Sequence, residues 1–440
     1  MSPRPAKKTK QAVTELPLFF APPRPRRVPP PPVDLAADLA KFQDFGTATR
    51  QVLIHFSTPA GPAQTTAYVN EFWTAKQRAA NPLHEISYRA CFKPQLPRFF
   101  ITRLTRPGDV VYDPFMGRGT TPLEAALMGR VPYGCDINPL SQVMIRPRLS
   151  PPRLDQIARR LDEINFADPG EMPEDLLVFF HEETLTKLSS LKKYLLARRR
   201  SGTLDAVDEW ISLVALNRLT GHSNGFFSVY TLPPNQATSV VAQRKINAKR
   251  NQTPSPRDII KIILKKSRIL MQDCDGALRA TLAGVAPFAR FVSNRAAATP
   301  EFPDDSVSLV VTSPPFLDVV DYAGDNWLRC WFLGIDPKTV QLTAPKKLAA
   351  WETEMTAVLR ELHRVLRPGG HVAFEVGEIR GGTVKLEESI LPCGRAAGLT
   401  PLLVVINDQE FTKTANCWGV DNNAKGTNTN RIVILQKPVD

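Results

Sequence analysis

The sequence predicts an α/β protein: a doubly wound, largely parallel sheet whose β/α alternation is interrupted by a mainly helical insert. Three observations predict it. A strand, a glycine-rich loop, a helix and a second strand ending in an acid follow one another over residues 107–138. An apolar strand pattern returns at 307–316 and recurs to the C-terminus. The roughly 150 residues between lack alternation and carry helical periodicity instead.

In chain order, residues 1–34 read as a disordered, basic arm with ten prolines in its first 32 positions. Residues 35–149 open the sheet domain. Within them, 35–80 read as mixed and partly helical. Pro107-Gly108-Asp109 makes a turn, Val110–Asp113 a short buried strand, and Leu123, Ala126 and Leu127 the apolar face of the helix that follows. Residues 150–300 form the insert, with amphipathic helices expected at 176–200 and 203–220, the second capped by Thr203. A loop is expected over 220–257 and a helix over 258–272. Residues 301–440 complete the sheet with strands at 307–316, 371–379, 402–407 and 431–436, and a helix at 351–366.

Composition narrows the function classes. The 440 residues carry 56 Lys+Arg against 43 Asp+Glu, a net charge of +13. No apolar run approaches the roughly 18 residues of a membrane span, and MSPRPAKKTK has no apolar stretch behind its charges. Six cysteines without a CxxC pair and six histidines without ligand spacing argue against disulfides and metal. A cytoplasmic protein is expected. The charge is uneven: residues 1–32 carry +6, residues 244–268 carry +8, and the remainder is close to neutral. Such clustering is the footprint of a polyanion, with Arg244, Lys245, Lys249 and Arg250 as candidate phosphate contacts.

Two motifs carry chemistry. Asp113-Pro114-Phe115-Met116-Gly117-Arg118-Gly119-Thr120-Thr121 ends a strand and opens a helix, where glycines admit a ligand close to the backbone. Asp113 can hold an ammonium, and Thr120 and Thr121 can donate to a carboxylate, which suits an amino-acid-like ligand. Asp136, twenty-three residues on, ends the next strand, where an acid can chelate ribose hydroxyls. The second motif is Ser313-Pro314-Pro315-Phe316. Consecutive prolines fix the backbone and remove amide donors, leaving carbonyls beside the Ser313 hydroxyl, and Phe316 offers a face for a planar base.

Together these residues resemble the S-adenosylmethionine-dependent amino-methyltransferases of DNA, the N4-cytosine/N6-adenine family. DPFMGRGTT matches motif I, which binds the methionine end of the cofactor, and Asp136 matches the ribose-binding acid of motif II. SPPF matches the catalytic motif IV. His84–Ile101, with Phe92, Pro94 and Pro97, is similar to motif X, which packs beside the cofactor. ELHRVLRPGGHVAFEVGE is similar to a helix–turn–strand common in methyltransferases of this Rossmann-like fold. Where relatives carry Gly-Asp against the cofactor's adenine, this chain has Ser293-Asn294, which implies Asn294 for that contact. The resemblance covers about 84–140 and 302–380.

The resemblance implies direct methyl transfer to an exocyclic nitrogen of a flipped base in double-stranded DNA. Ser313 and the Pro314 carbonyl would accept the amino hydrogens, and no covalent enzyme intermediate is needed. Ser rather than Asp before PP leans toward cytosine N4; adenine N6, or an amine of structured RNA, are the alternatives. The motif order places target recognition in the 150–300 insert, and the resemblance leaves room for a cognate restriction endonuclease as a further partner, which the sequence does not decide. Gly225-Phe226-Phe227 and Tyr230 offer base-stacking candidates, weighed against a core role.

Overall fold

The computed structural model describes residues 34–439 apart from 59–60, 75–79, 90, 233–236, 316–321, 337–339, 341–344, 346, 380–383 and 409–428. All but Asp34 of the expected arm, Phe316, and most of the Asn/Thr-rich stretch 416–431 lie outside the described residues.

Helix α1 (Leu35–Ala40) precedes the strands β1 (Arg50–Thr58) and β2 (Gly61–Asn70), then α2 (Gln95–Leu104). Next come β3 (Val110–Asp113), α3 (Thr120–Leu127), β4 (Val131–Cys135) and α4 (Leu140–Leu149). The insert supplies α5 (Leu154–Glu163), α6 (Glu182–Arg200), α7 (Ala206–Leu216), α8 (Val240–Arg250), α9 (Ile259–Leu270) and α10 (Gly276–Val285). The sheet resumes with β5 (Arg290–Val292) and β6 (Val307–Thr312), followed by α11 (Tyr322–Leu333), α12 (Leu348–Val365) and β7 (Leu366–Val376). A two-residue ladder of β8 (Glu378–Ile379) and β9 (Val384–Lys385), then α13 (Leu386–Ala396), β10 (Thr400–Asp408) and β11 (Thr429–Gln436), end the described fold.

Nine strands make one sheet in the order β1-β2-β10-β11-β7-β6-β3-β4-β5. The run from β7 to β5 is parallel throughout, whereas β11 is antiparallel to both its neighbours. From β3 the chain steps outward through β4 to β5, then returns to β6 on the other side of β3. That reversal opens a crevice beyond the carboxyl ends of β3 and β6, where doubly wound sheets bind ligands. Helices cover both faces: α12 and α13 pack on one around Phe374 and Val404, and α1, α2 and α3 on the other around Val311 and Phe100. β6 is buried at every position, which explains its unbroken apolar run.

Several boundaries differ from the sequence expectation. Residues 35–80 contain the β1–β2 hairpin, which extends the sheet by two strands; β1 is exposed at most positions, so its pattern lacks an apolar face to read. α7 starts at Ala206 and is capped by Asp205, not Thr203, because the Asp205 carboxylate accepts from the Val207 and Asp208 amides at 2.9 and 3.0 Å. α6 begins at Glu182, after a 3-10 turn over Glu174–Val178. The expected loop over 220–257 contains α8, capped by Ser239 and stopped by Asn251 at φ +46°. That helix shows almost no apolar face, having only Gln243 fully buried, which hid it from periodicity. β5, three residues long, falls before the expected insert boundary at 300.

The insert's core centres on Trp210, whose indole donates to the Ser267 hydroxyl at 3.0 Å. Asp208 of α7, fully buried, takes hydrogen bonds from Arg160 of α5 and from Arg198 of α6, the latter at 2.5 Å. One carboxylate thus staples three helices. Arg160 and Arg198 would keep Asp205 as a partner, so Asp208→Ala removes the shared charge-assisted bonds without leaving a bare cation and is expected to cost about 2 kcal/mol of stability. A urea-unfolding midpoint equal to that of the wild type would contradict this role.

Candidate active site

The glycine loop leaves β3 at Asp113 and is built by backbone geometry. Gly117 and Gly119 adopt φ +49° and +78°, the left-handed region. A Cβ at Gly119 would also stand 2.9 Å from Ile145 Cβ, so that glycine lets α4 close on the loop. Two arginines secure the loop to the segment before it. Arg118 donates to the Ile86 and Phe92 carbonyls at 2.8 and 3.4 Å. Arg148, fully buried, donates to the Leu83, Met144 and Arg118 carbonyls.

Asp113 is 1% exposed and faces inward. One carboxylate oxygen accepts from the Phe115 amide at 3.0 Å and from the Thr312 hydroxyl, at the end of β6, at 2.6 Å. Burial pushes its carboxyl up to about 7, against the pull of those hydrogen bonds. Thr121 donates to the Val311 carbonyl at 3.0 Å. Asp113 therefore ties β3 to β6, and Thr121 ties α3 to β6, instead of facing a ligand. The Thr120 hydroxyl accepts from Arg118 at 3.1 Å.

A cleft of about 130 Å³ lies over the carboxyl ends of β3, β4 and β6. Of the residues singled out in the sequence, Phe115, Gly117, Asp136, Asn294, Ser313 and Pro315 line it. Asp136 receives the Gly117 and Asn138 amides, each at 2.8 Å, and burial raises its carboxyl although the side chain reaches the cleft. Asn294 sits at one end with its own oxygen on the Arg295 amide at 2.9 Å and its nitrogen 3.3 Å from Glu301. Ser313 and Pro315 form the other end, and Pro314 is buried beside them. Phe92 is not among the lining residues and packs instead against the α1/α2 core; Tyr88, four residues earlier, provides the wall. Asp113, Gly119, Thr120 and Thr121 support the cleft from behind.

Three further residues were not singled out in the sequence. Glu375, at the end of β7 and 8% exposed, accepts from Asn430 at 2.8 Å and follows Phe374, the partner of Thr312 in the β6–β7 register, so it lies beside Ser313; burial raises its carboxyl. A lone acid in the apolar run HVAFEV was the available signal. Trp351 lines the cleft from α12 and donates to the Pro315 carbonyl at 3.0 Å. Glu354, one turn on, pairs with Arg295 at 3.1 Å.

The basic candidates lie on α8. Arg244 pairs with Asp175 at 3.1 Å, both well exposed, and Arg250 stacks 3.8 Å above the Tyr230 ring. Phe226 and Phe227 are 5% and 0% exposed, so they serve the core and are not free to stack on bases. Among the described residues no His/Cys/Asp/Glu group has the arrangement of a metal site, and no helix is long and apolar enough to cross a membrane.

Positions 3–142 match the family model described as DNA methylase. The chain is 24% identical over 292 residues to the type II methyltransferase M.BsoBI of Geobacillus stearothermophilus, covering 58% of this chain and 53% of that protein. It is 31% identical over 126 residues to the type II methyltransferase M.MvaI of Kocuria varians, covering 28% and 24%. It is 39% identical over 62 residues to the type II methyltransferase M.MjaII of Methanocaldococcus jannaschii, covering 14% and 12%. The chain thus spans about half the length of the first relative and less of the others.

The Asp113 geometry has a pH consequence. A folded-state carboxyl at about 7, against an ordinary value near ~4 when unfolded, means the folded chain holds this proton more tightly. This group's contribution to stability therefore falls as pH rises from about 4 to about 7, then levels off. Asp113→Asn should flatten that part of the stability profile, measured as denaturation midpoints between pH 4.5 and 7.5. Parallel profiles for the two proteins would refute the assignment.

Proposed function

We propose that this chain, whose residues 3–142 match the DNA methylase family model, transfers a methyl group from S-adenosylmethionine to an exocyclic amino nitrogen of double-stranded DNA, with cytosine N4 as the target. The observation that carries this reading is one continuous cleft with a half-buried carboxylate, Asp136, toward one end and Ser313 and Pro315 of the SPP turn at the other.

The cleft's walls suit that cofactor. Asp136 offers an acceptor for paired hydroxyls, and Phe115 and Tyr88 offer flat apolar surface. At Gly117 a Cβ would point toward Tyr88, 3.5 Å from its ring, and narrow the space between the walls. When bound, S-adenosylmethionine supplies an electrophilic sulfonium methyl. The chain's own residues do the rest by positioning and desolvation.

At the base end, the Ser313 oxygen can accept a hydrogen from the base's amino group, and the Pro314 carbonyl can accept the second. Drawing both hydrogens away frees the nitrogen lone pair from conjugation with the ring. The proton released on methylation needs an acceptor, and Glu375, next to Phe374 in the β6–β7 register and with its carboxyl raised by burial, is the proposed one. A neutral serine in place of an aspartate at this position supports cytosine N4 over adenine N6. The insert of residues 150–300, with its basic helix α8, is the proposed target-recognition region, and a cognate restriction endonuclease is the partner the resemblance suggests.

Purified protein given labelled S-adenosylmethionine and mixed DNA is expected to incorporate label that digests to 4-methylcytosine. Recovery of 6-methyladenine would move the target, and label in RNA alone would sink the DNA reading. Ser313→Ala should lower kcat by roughly 100-fold or more, and Glu375→Gln should act in the same direction. Replacing Lys245, Lys249 and Arg250 by Ala should weaken binding on all sequences and reduce the salt slope by about 2–3. An unchanged slope would make α8 a merely solvated face.

A further inference from the structure

The end of β6 presents more hydrogen-bond acceptors than an amino group can use. The β6–β7 ladder runs out at Thr312, opposite Phe374. Beyond it, Pro314 and Pro315 bring carbonyls but no amides, and Ser313 adds its hydroxyl oxygen. An exocyclic amine has two hydrogens. A third acceptor near them would leave the amine free to choose between geometries, and the methyl-accepting lone pair would swing with that choice.

Trp351 removes the third acceptor. Its indole nitrogen donates to the Pro315 carbonyl at 3.0 Å, from a side chain with no exposed surface. The ring belongs to the apolar cluster formed by Val310, Phe374, Leu386 and Leu391, so it cannot follow a moving loop. The helix carrying it is tied down one turn later, where Glu354 meets Arg295 at 3.1 Å on the opposite rim of the cleft. A buried indole normally finds a partner for its N–H. Here the partner is a carbonyl inside the catalytic motif.

We propose that Trp351 is a positioning residue for the transfer step: by occupying the Pro315 carbonyl it leaves Ser313 and Pro314 as the acceptor pair for the amine. This inference rests on the methyl-transfer reading of the cleft. It assigns Trp351 to the turnover rate and not to the affinity for either substrate.

The test uses the full chain with Trp351→Phe, which keeps an aromatic ring in the core and loses the N–H. Roughly 10- to 100-fold loss of kcat is expected, the scale of a small misplacement at a reacting centre. KM for DNA and calorimetric affinity for S-adenosylhomocysteine should stay near wild-type values, while the smaller ring lowers Tm. Incorporating 3-benzothienylalanine at position 351, isosteric with the indole but without a donor, should reproduce the loss of kcat with Tm retained. An undiminished kcat in either variant overturns the inference. So does a loss shared in proportion by kcat, cofactor affinity and Tm, since that is the signature of packing alone. Wild-type protein that methylates neither DNA nor RNA would instead remove the reading beneath it, an outcome separable from both.

Discussion

The Thr312 hydroxyl, at the end of β6, donates to Asp113, at the end of β3, and that hydrogen bond ties together the strands that carry the two motifs. These strands are neighbours in the sheet but 199 residues apart in the chain. The glycine loop grows from one and the SPP turn from the other, so the width of the cleft depends on how tightly they are held. Thr121 reinforces the junction by bonding to the Val311 carbonyl. The cost is a carboxylate held away from water, visible in the raised Asp113 carboxyl. Burial there trades some stability near neutrality for a rigid seam, a trade found where backbone placement matters to a site.

The same logic extends outward in layers. Arg118 and Arg148 bind the 83–92 segment to the loop through main-chain carbonyls, which brings Tyr88 over Gly117. Glu375 and Trp351 approach the SPP turn from β7 and α12, and Trp351 donates to the Pro315 carbonyl. None of these residues needs to touch a ligand to shape the site. The insert stands apart in its energetics: its helices share a core around Trp210 and a charged staple at Asp208, while its basic helix α8 contributes little to that core. A helix that packs weakly but carries charge is free to serve a polyanion.

The unevenness of what could be read beforehand has physical causes. β3, β6 and β10 are short apolar runs bounded by turn residues, and those runs are recognisable because both faces of the sheet are covered. The β1–β2 hairpin and α8 offer little periodicity: β1 is exposed at most positions, β2 is buried almost continuously from Thr65 to Asn70, and α8 fully buries only Gln243. Thr203 and Asp205 are both plausible caps, and only the backbone geometry at 205 chooses between them. Phe92 and Tyr88 are both aromatic residues in a proline-flanked segment, and the Arg118 hydrogen bonds to that segment accompany the choice of Tyr88 for the cleft wall.

The sequence by itself determined the class of the sheet, the two motifs and the residues that can accept hydrogens at the end of β6. Local chemistry suffices for that, since glycines, prolines and strand-end acids act through their own backbone. The tertiary structure alone decided which of those groups face the cleft. Asp113, Thr120 and Thr121 sit inside motif I yet point to neighbouring strands or side chains, whereas Glu375 and Trp351, outside motifs I and IV, reach the SPP turn. A side chain's direction depends on partners hundreds of residues away, and that pairing is made only when the sheet closes.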